Sequence, residues 1–303
     1  MDTVVVKEIK ALLPGTEVLE NEPMKKHTTF RVGGEADVYI SINSISQLCD
    51  LMEYLRSHTI PFFVKGNGSN LLVSDKGYPG VVIELGNEFS GVMVENNQIK
   101  AMAGTLLSKL SKTACDAGLS GLEFASRIPG TVGGAMVMNA GAYDGEMKQV
   151  VQEVMLLSPD NTIITLSGHD MEFGYRTSIL KREPYIVLEV IFTLEKKDRK
   201  DITDKMADFA TRRKEKQPLE YPSAGSTFKR PEGNFAGKLI MDSGLKGYRV
   251  GDAQVSEKHC GFVINRGNAT ASDIYSLMME VQRKVQEQSG VLLEPEVIVL
   301  GEF

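Results

Sequence analysis

Pro61-Phe62-Phe63-Val64-Lys65-Gly66-Asn67-Gly68-Ser69-Asn70-Leu71-Leu72-Val73 is the stretch on which the fold turns. Its spacing predicts a buried strand from Pro61 to Val64, a glycine loop, and a second apolar strand immediately after. A dinucleotide fingerprint of the Rossmann kind needs strand, loop and then helix, because the helix N-terminus receives the pyrophosphate. Here the chain returns to a strand, which argues against that fold. The loop does offer successive backbone N–H groups that can form an anion nest, with glycines that permit close approach. Taken alone, one such loop is better read as a plain hairpin turn.

Upstream, residues 4–13 carry an amphipathic stripe of Val5, Ile9, Leu12 and Leu13 that Pro14-Gly15 stops. A strand at 37–40 follows, then Ser44 as the cap of a helix with Ile45, Leu48, Met52 and Leu55 on one face. With the 61–64 strand this order predicts a βαβ unit. Downstream, strands are expected at 81–85, 92–94 and 99–103, then a helical stripe of Leu106, Leu110, Ala114 and Ala117 ended by Gly118. A second glycine-rich stretch covers 127–145, and strands follow near 150–157, 162–166 and 186–194. The charged run Glu195-Lys196-Lys197-Asp198-Arg199-Lys200 reads as a boundary. Beyond it come a helix over 201–216, strands within 249–264, a helix over 272–288 and a closing strand at 297–300.

The chain has 303 residues, 42% hydrophobic and 24% charged, the composition of a folded protein of about two domains. Its 29 glycines fall in clusters, neither every third residue nor in serine-rich tracts, which excludes collagen and flexible linkers. A net charge of −6 makes nucleic acid a poor partner. Cys49, Cys115 and Cys260 form no CxxC pair, and His27, His58, His169 and His259 are scattered, so neither a disulfide framework nor a metal site is expected. No signal peptide is read at the N-terminus and no stretch approaches the ~20 apolar residues of a membrane span. A cytoplasmic location is expected, with no membrane and no obligate protein partner.

Ile128-Pro129-Gly130-Thr131-Val132-Gly133-Gly134-Ala135, continued through Asn139, Gly141 and Tyr143, holds small uncharged residues suited to backbone contact with a flat or phosphorylated ligand. They are equally suited to a tight helix–sheet contact; two such segments together favour a dinucleotide. Tyr221-Pro222-Ser223-Ala224-Gly225-Ser226-Thr227-Phe228-Lys229-Arg230 is not a nucleophile elbow. Its serine, beside a glycine and two cations, is suited to proton donation or phosphate binding, or to an ordinary polar loop. Glu294-Pro295-Glu296 sets two carboxylates on one face if extended, and Arg176 in Tyr175-Arg176-Thr177-Ser178 is a cation that can bind a carboxylate bidentately. The 233–239 segment is one residue short of a P-loop and lacks its Ser/Thr.

In series, T-T-F-R-V-G-G-E-A-D, G-N-G-S-N-L-L, I-P-G-T-V-G-G-A with M-N-A-G-A-Y, Y-R-T-S, P-S-A-G-S-T-F-K and L-E-P-E-V resemble the MurB family of UDP-N-acetylenolpyruvoylglucosamine reductases, over nearly the whole chain from Thr28. The resemblance implies an α+β fold: a two-lobed FAD-binding fold of the vanillyl-alcohol-oxidase (PCMH) type, with a C-terminal α+β substrate-binding domain. The lobes would be 1–87 and 88–200, the substrate domain 201–292, and 293–303 a segment returning to the flavin site. It further implies FAD held by Gly66, Asn67, Gly68, Ser69, Asn70, Leu71, Ile128, Pro129, Gly130, Thr131, Gly133, Gly134, Asn139 and Gly141. In the implied reaction NADPH reduces the flavin, whose N5 then delivers hydride to C3 of UDP-N-acetylglucosamine enolpyruvate. Ser226 gives the proton to C2, and Arg176 and Glu296 stabilise the charge on the substrate carboxylate. Tyr175, Lys216, Lys229 and Arg230 are the expected substrate contacts, with Lys229 the candidate neighbour for the Ser226 alkoxide.

Two residues depart from the family pattern. Arg127 stands where relatives often have glycine, and Arg230 where many have Asn. The 50 positions between Arg176 and Ser226 match the family's shorter, type II branch, which lacks the segment whose tyrosine caps the substrate. On the residues alone, an oxidase of the same flavin fold and a non-catalytic nucleotide-binding regulator are the competing readings.

Overall fold

A computed structural model describes all 303 residues. Its helices are α1 (Thr3–Leu12), α2 (Ile45–Ser57), α3 (Leu107–Asp116), α4 (Val132–Met138), α5 (Arg199–Lys216), α6 (Ala236–Asp242) and α7 (Ala271–Ser289). Three of them open on a side-chain cap. Asp2 accepts from the Val4 N–H to open α1, Ser44 accepts from the Gln47 N–H to open α2, and α7 opens on a capping box of Thr270 and Asp273. Gly290, at φ +73°, closes α7 as the left-handed residue that ends a helix without a Cβ penalty.

The strands Val18–Pro23, Glu35–Ser41, Tyr78–Glu84 and Phe62–Lys65 form one sheet in that order. The expected βαβ unit is therefore modified: Tyr78–Glu84 lies between its two strands and pairs in parallel with Phe62–Lys65. Five antiparallel strands form another sheet, in the order Ile163–Ser167, Val151–Leu157, Ile186–Thr193, Gln98–Met102 and Val92–Glu95. Its central strand is buried along most of its length and its two edges alternate or lie open, the pattern of a sheet covered where apolar residues are densest.

The chain folds as two compact units. The first comprises Met1–Leu19, Val38–Asn67 and Gly80–Arg212, the second Glu20–Asp37, Gly68–Pro79 and Arg213–Phe303. Each has its own apolar core. That of the first includes Ile40, Leu51, Phe89, Leu110, Phe192 and Phe209. That of the second includes Phe30, Leu72, Ile240, Ile274, Leu277 and Val281, where the three α7 residues recur at helical spacing.

The charged run at 195–200 does not interrupt structure. Glu195–Lys196 pairs with Leu119–Ser120, and α5 starts at Arg199. The division between units comes after Arg212, because the earlier turns of α5 bury Phe209, which stacks on Tyr143 with centroids 4.5 Å apart and planes 8° from parallel. The basic residues of its last turn include Lys214 and Lys216, where cations suit the helix dipole.

Candidate active site

The 61–73 stretch is not a hairpin. Phe62–Lys65 pairs with Phe62's parallel partner strand Val81 to Glu84, whereas Leu71–Val73 pairs in parallel with Ile298–Leu300. The strands on either side of the glycine loop are thus committed to different partners, and the loop connects them without a ladder of its own.

In the first unit the two glycine segments meet. Asn67 Nδ2 donates to the Pro129 carbonyl at 2.7 Å, and a Cβ on Gly66 would lie 2.1 Å from Thr131 Oγ1. Thr131 also caps α4, accepting from the Gly134 N–H at 3.4 Å. That helix was not legible in the sequence, because its glycines are poor helix formers. It is held from outside, by Val132 N–H to the Thr105 carbonyl at 2.9 Å and Gly133 N–H to the Ala103 carbonyl at 2.8 Å. Gly133 packs on Ala103, the tight contact the small residues suggested, and Gly134 is exposed. Ile128 and Gly130 are half-buried and Pro129 is exposed. Arg127 is exposed too, its side chain accommodated at the surface.

A cavity of about 280 Å³ opens here, its lining including Asn67, Thr131, Asn87, Glu84 and Glu88. With two carboxylates in its wall, it suits hydroxyl or amine donors rather than phosphate. Beneath the loop, the buried Lys65 ammonium donates to Glu84 at 2.7 Å and to the Gly66 carbonyl at 2.8 Å. Burial pulls the Lys65 pKa down, and Glu84 opposes that shift.

Tyr175 and Arg176 form the tip of a tight turn, with Gly174 and Thr177 exchanging backbone hydrogen bonds of 3.1 and 3.4 Å. Arg176 sits at φ +55°, a left-handed conformation that costs a non-glycine residue roughly 1–2 kcal/mol. Its Nη2 donates to the Gly141 carbonyl at 3.1 Å and its guanidinium lies over the exposed Tyr175 ring, 5.1 Å from the centroid. Asn139 is fully buried and its amide is taken up inside the protein, on Glu146, the Gly174 carbonyl and the Lys148 N–H.

In the second unit, Gly68 fits tightly under His27: at φ +63°, a Cβ there would lie 2.1 Å from the His27 carbonyl. The Thr29 N–H donates to the Gly68 carbonyl at 3.2 Å, and the buried Thr29 hydroxyl has no partner within the protein. Thr29 was not among the expected site residues, although it lies in the T-T-F-R-V-G-G-E-A-D motif. A glycine loop with no side chain in the way and an unsatisfied hydroxyl beside it fits a ligand rich in acceptors, as FAD is.

Ser69 is half-buried and Leu71 buried. Asn70 makes the link to the chain's end: its Nδ2 donates to the Glu296 carbonyl at 3.0 Å, and its carbonyl accepts from the Ile298 N–H at 3.0 Å. Glu296 is held from the other side as well, its N–H donating to the Thr227 carbonyl at 2.8 Å. The Lys229 N–H donates to the Glu294 carbonyl at 2.8 Å, with Phe228 opposite Pro295. Pro295 occupies the one position of this short pairing where no N–H is called for. The pairing sets Glu296 opposite the buried Thr227, whose neighbour in the chain is the exposed Ser226. The Lys229 ammonium is engaged by the Glu294 carboxylate, so part of its charge is already answered. Arg230 stacks over Phe235 at 3.9 Å, and Lys216 is exposed at the end of α5.

Comparison with known proteins bears on both units. Residues 36–167 match the family model described as an FAD binding domain, and 217–300 match the C-terminal domain of UDP-N-acetylenolpyruvoylglucosamine reductase. The chain is 51% identical over 302 residues to the UDP-N-acetylenolpyruvoylglucosamine reductase of Caldanaerobacter subterraneus subsp. tengcongensis, covering 100% of both chains. Among solved structures it is similar to that reductase from Thermus caldophilus, at 39% identity with a TM-score of 0.79, covering 94% of this chain and 99% of that one. Its fold is also shared with Physcomitrella patens BBE-like 1, at 14% identity and a TM-score of 0.50, over 63% of this chain and 44% of that one.

Proposed function

Because the chain belongs to the UDP-N-acetylenolpyruvoylglucosamine reductase family and carries its FAD-binding domain, we propose that it uses NADPH to reduce UDP-N-acetylglucosamine enolpyruvate to UDP-N-acetylmuramate in the cytoplasm. The observation that carries this reading is the full-length likeness to a named reductase. No helix of the chain is long and apolar enough to cross a membrane. The division into FAD lobes 1–87 and 88–200 and a substrate domain 201–292 is part of the proposal. It is supported by the matches over 36–167 and 217–300, and the role of 293–303 by the pairing of Ile298–Leu300 with Leu71–Val73.

When bound, FAD supplies the hydride-carrying centre between NADPH and the enolpyruvyl group. The protein's own residues do the rest. Gly66 to Leu71 and the 128–134 segment hold the cofactor by backbone. Arg176 and Glu296 stabilise the negative charge that grows on the substrate carboxylate as C3 is reduced, and Ser226 gives its hydroxyl proton to C2. Arg230, Lys216 and the Glu294-paired Lys229 receive the diphosphate, and Tyr175 contacts the substrate beside Arg176.

The test is an anaerobic titration of the purified protein loaded with FAD. NADPH bleaches the visible flavin absorbance, and the enolpyruvyl sugar nucleotide restores it with formation of one equivalent of product. Bleaching without recovery refutes the reductase reading while leaving the flavoprotein standing.

A further inference from the structure

We propose that Asn139 is a positioning residue for Arg176, and that the 139–148 segment exists to hold the Arg176 turn; this rests on the catalytic reading of Arg176 above. The turn is held at three points. At its start, the Gly174 carbonyl accepts from Asn139 Nδ2 at 3.0 Å. At its tip, Arg176 Nη2 donates to the Gly141 carbonyl at 3.1 Å. At its end, the buried Ser178 hydroxyl donates to the Val137 carbonyl at 3.0 Å. All three partners lie within 137–141, the last turn of α4 and the chain that leaves it.

Asn139 is suited to this and to little else. It stands at φ +40° as the left-handed cap of α4, is fully buried, and uses both ends of its amide. Its Oδ1 accepts from the Lys148 N–H at 2.9 Å, and its Nδ2 also donates to Glu146 Oε2 at 2.9 Å. Glu146 is in turn paired with Lys148 Nζ at 2.7 Å and caps the short 147–149 turn. A left-handed arginine at a turn tip does not keep its conformation unaided, so its neighbours must over-determine it. Asn139 is the group that ties the turn's first carbonyl to a closed, satisfied network. It therefore acts on the reaction through Arg176, without touching FAD.

The test is a double-mutant cycle on the FAD-loaded enzyme, read as turnover, KM for NADPH, and the dissociation constant of FAD from the apoprotein by flavin fluorescence. Arg176→Ala lowers kcat for the enolpyruvyl substrate. Asn139→Ala lowers it ten- to a hundredfold with KM for NADPH and the FAD dissociation constant within twofold of the parent, and Asn139→Ala adds nothing in the Arg176→Ala background. Ser178→Ala, which spares the left-handed cap, shows the same pattern at smaller amplitude and carries the test if Asn139→Ala fails to fold. Additive losses, or a weakened hold on FAD in Asn139→Ala, overturn the positioning role while leaving Arg176 catalytic. A normal kcat in Arg176→Ala overturns that reading and the positioning role with it.

Discussion

Ser226 and Glu296 illustrate how little of a side chain's role is stored in the side chain. Ser226 is exposed, one residue from Thr227, whose carbonyl holds the Glu296 N–H, and the Glu296 carbonyl is itself held by Asn70. Ser226→Ala is expected to leave bleaching of the flavin by NADPH intact while slowing its substrate-dependent recovery ~10²- to 10⁴-fold, the usual worth of a positioned proton donor. Stopped-flow measurement of the two halves separates this from a folding defect, which would slow both. Asn70→Ala keeps the backbone bond to Ile298 but releases the Glu296 carbonyl, removing one hydrogen bond of about 0.5–1.5 kcal/mol. Turnover with the enolpyruvyl substrate should fall roughly 2- to 10-fold, and an unchanged kcat would deny Asn70 this part. Such links are invisible in sequence, since Asn70 and Glu296 lie 226 positions apart.

Elements here are stabilised as much by remote groups as by their own residues. The Asp75 carboxylate accepts from the Ala271 and Ser272 N–H groups and the Ser272 hydroxyl, adding a second cap to the N-terminus of α7. Burial would raise its pKa, but these hydrogen bonds outweigh it and hold the carboxyl below its ordinary value. A depressed folded pKa means that the unfolded state takes up protons first. The contribution is therefore whole above the unfolded carboxylate range near pH 4, and it disappears as pH falls through the folded value. Asp75→Asn should cost ~0.3–1 kcal/mol at neutral pH and flatten the acid limb of a Tm-against-pH curve; an unaltered limb would show the cap to be idle. The Lys65–Glu84 pair under the glycine loop joins a buried ammonium to a carboxylate that faces the cavity and also accepts from Ser41 Oγ. Lys65→Met removes a charged hydrogen bond and should cost about 1.5–3 kcal/mol in urea unfolding, whereas Lys65→Met with Glu84→Leu should recover part of that loss.

The whole molecule has two cores, and the chain passes between the two units more than once before Arg213. If FAD binds only the native state, loading it at 100 times its dissociation constant should stabilise by ~2.7 kcal/mol, read as a Tm that climbs with FAD concentration. A Tm indifferent to FAD would contradict the cofactor assignment. Much of this architecture was legible in the residues. Local signals act within a few positions, so the Ser44 cap, the α7 stripe, the strands at 151–157 and 186–193 and the strand-to-strand glycine loop could be read directly. The family motifs, read in order, pointed to the reductase that the comparisons support. What only the tertiary structure decided are long-range matters: that Tyr78–Glu84 intervenes beside Phe62–Lys65, that a glycine-rich stretch becomes α4, and that Asn139 faces Gly174 rather than standing free for a ligand. Propensity and periodicity describe neighbours in the chain; the partner that satisfies a buried amide or an unpaired strand is selected by packing, and no spacing along the sequence records it.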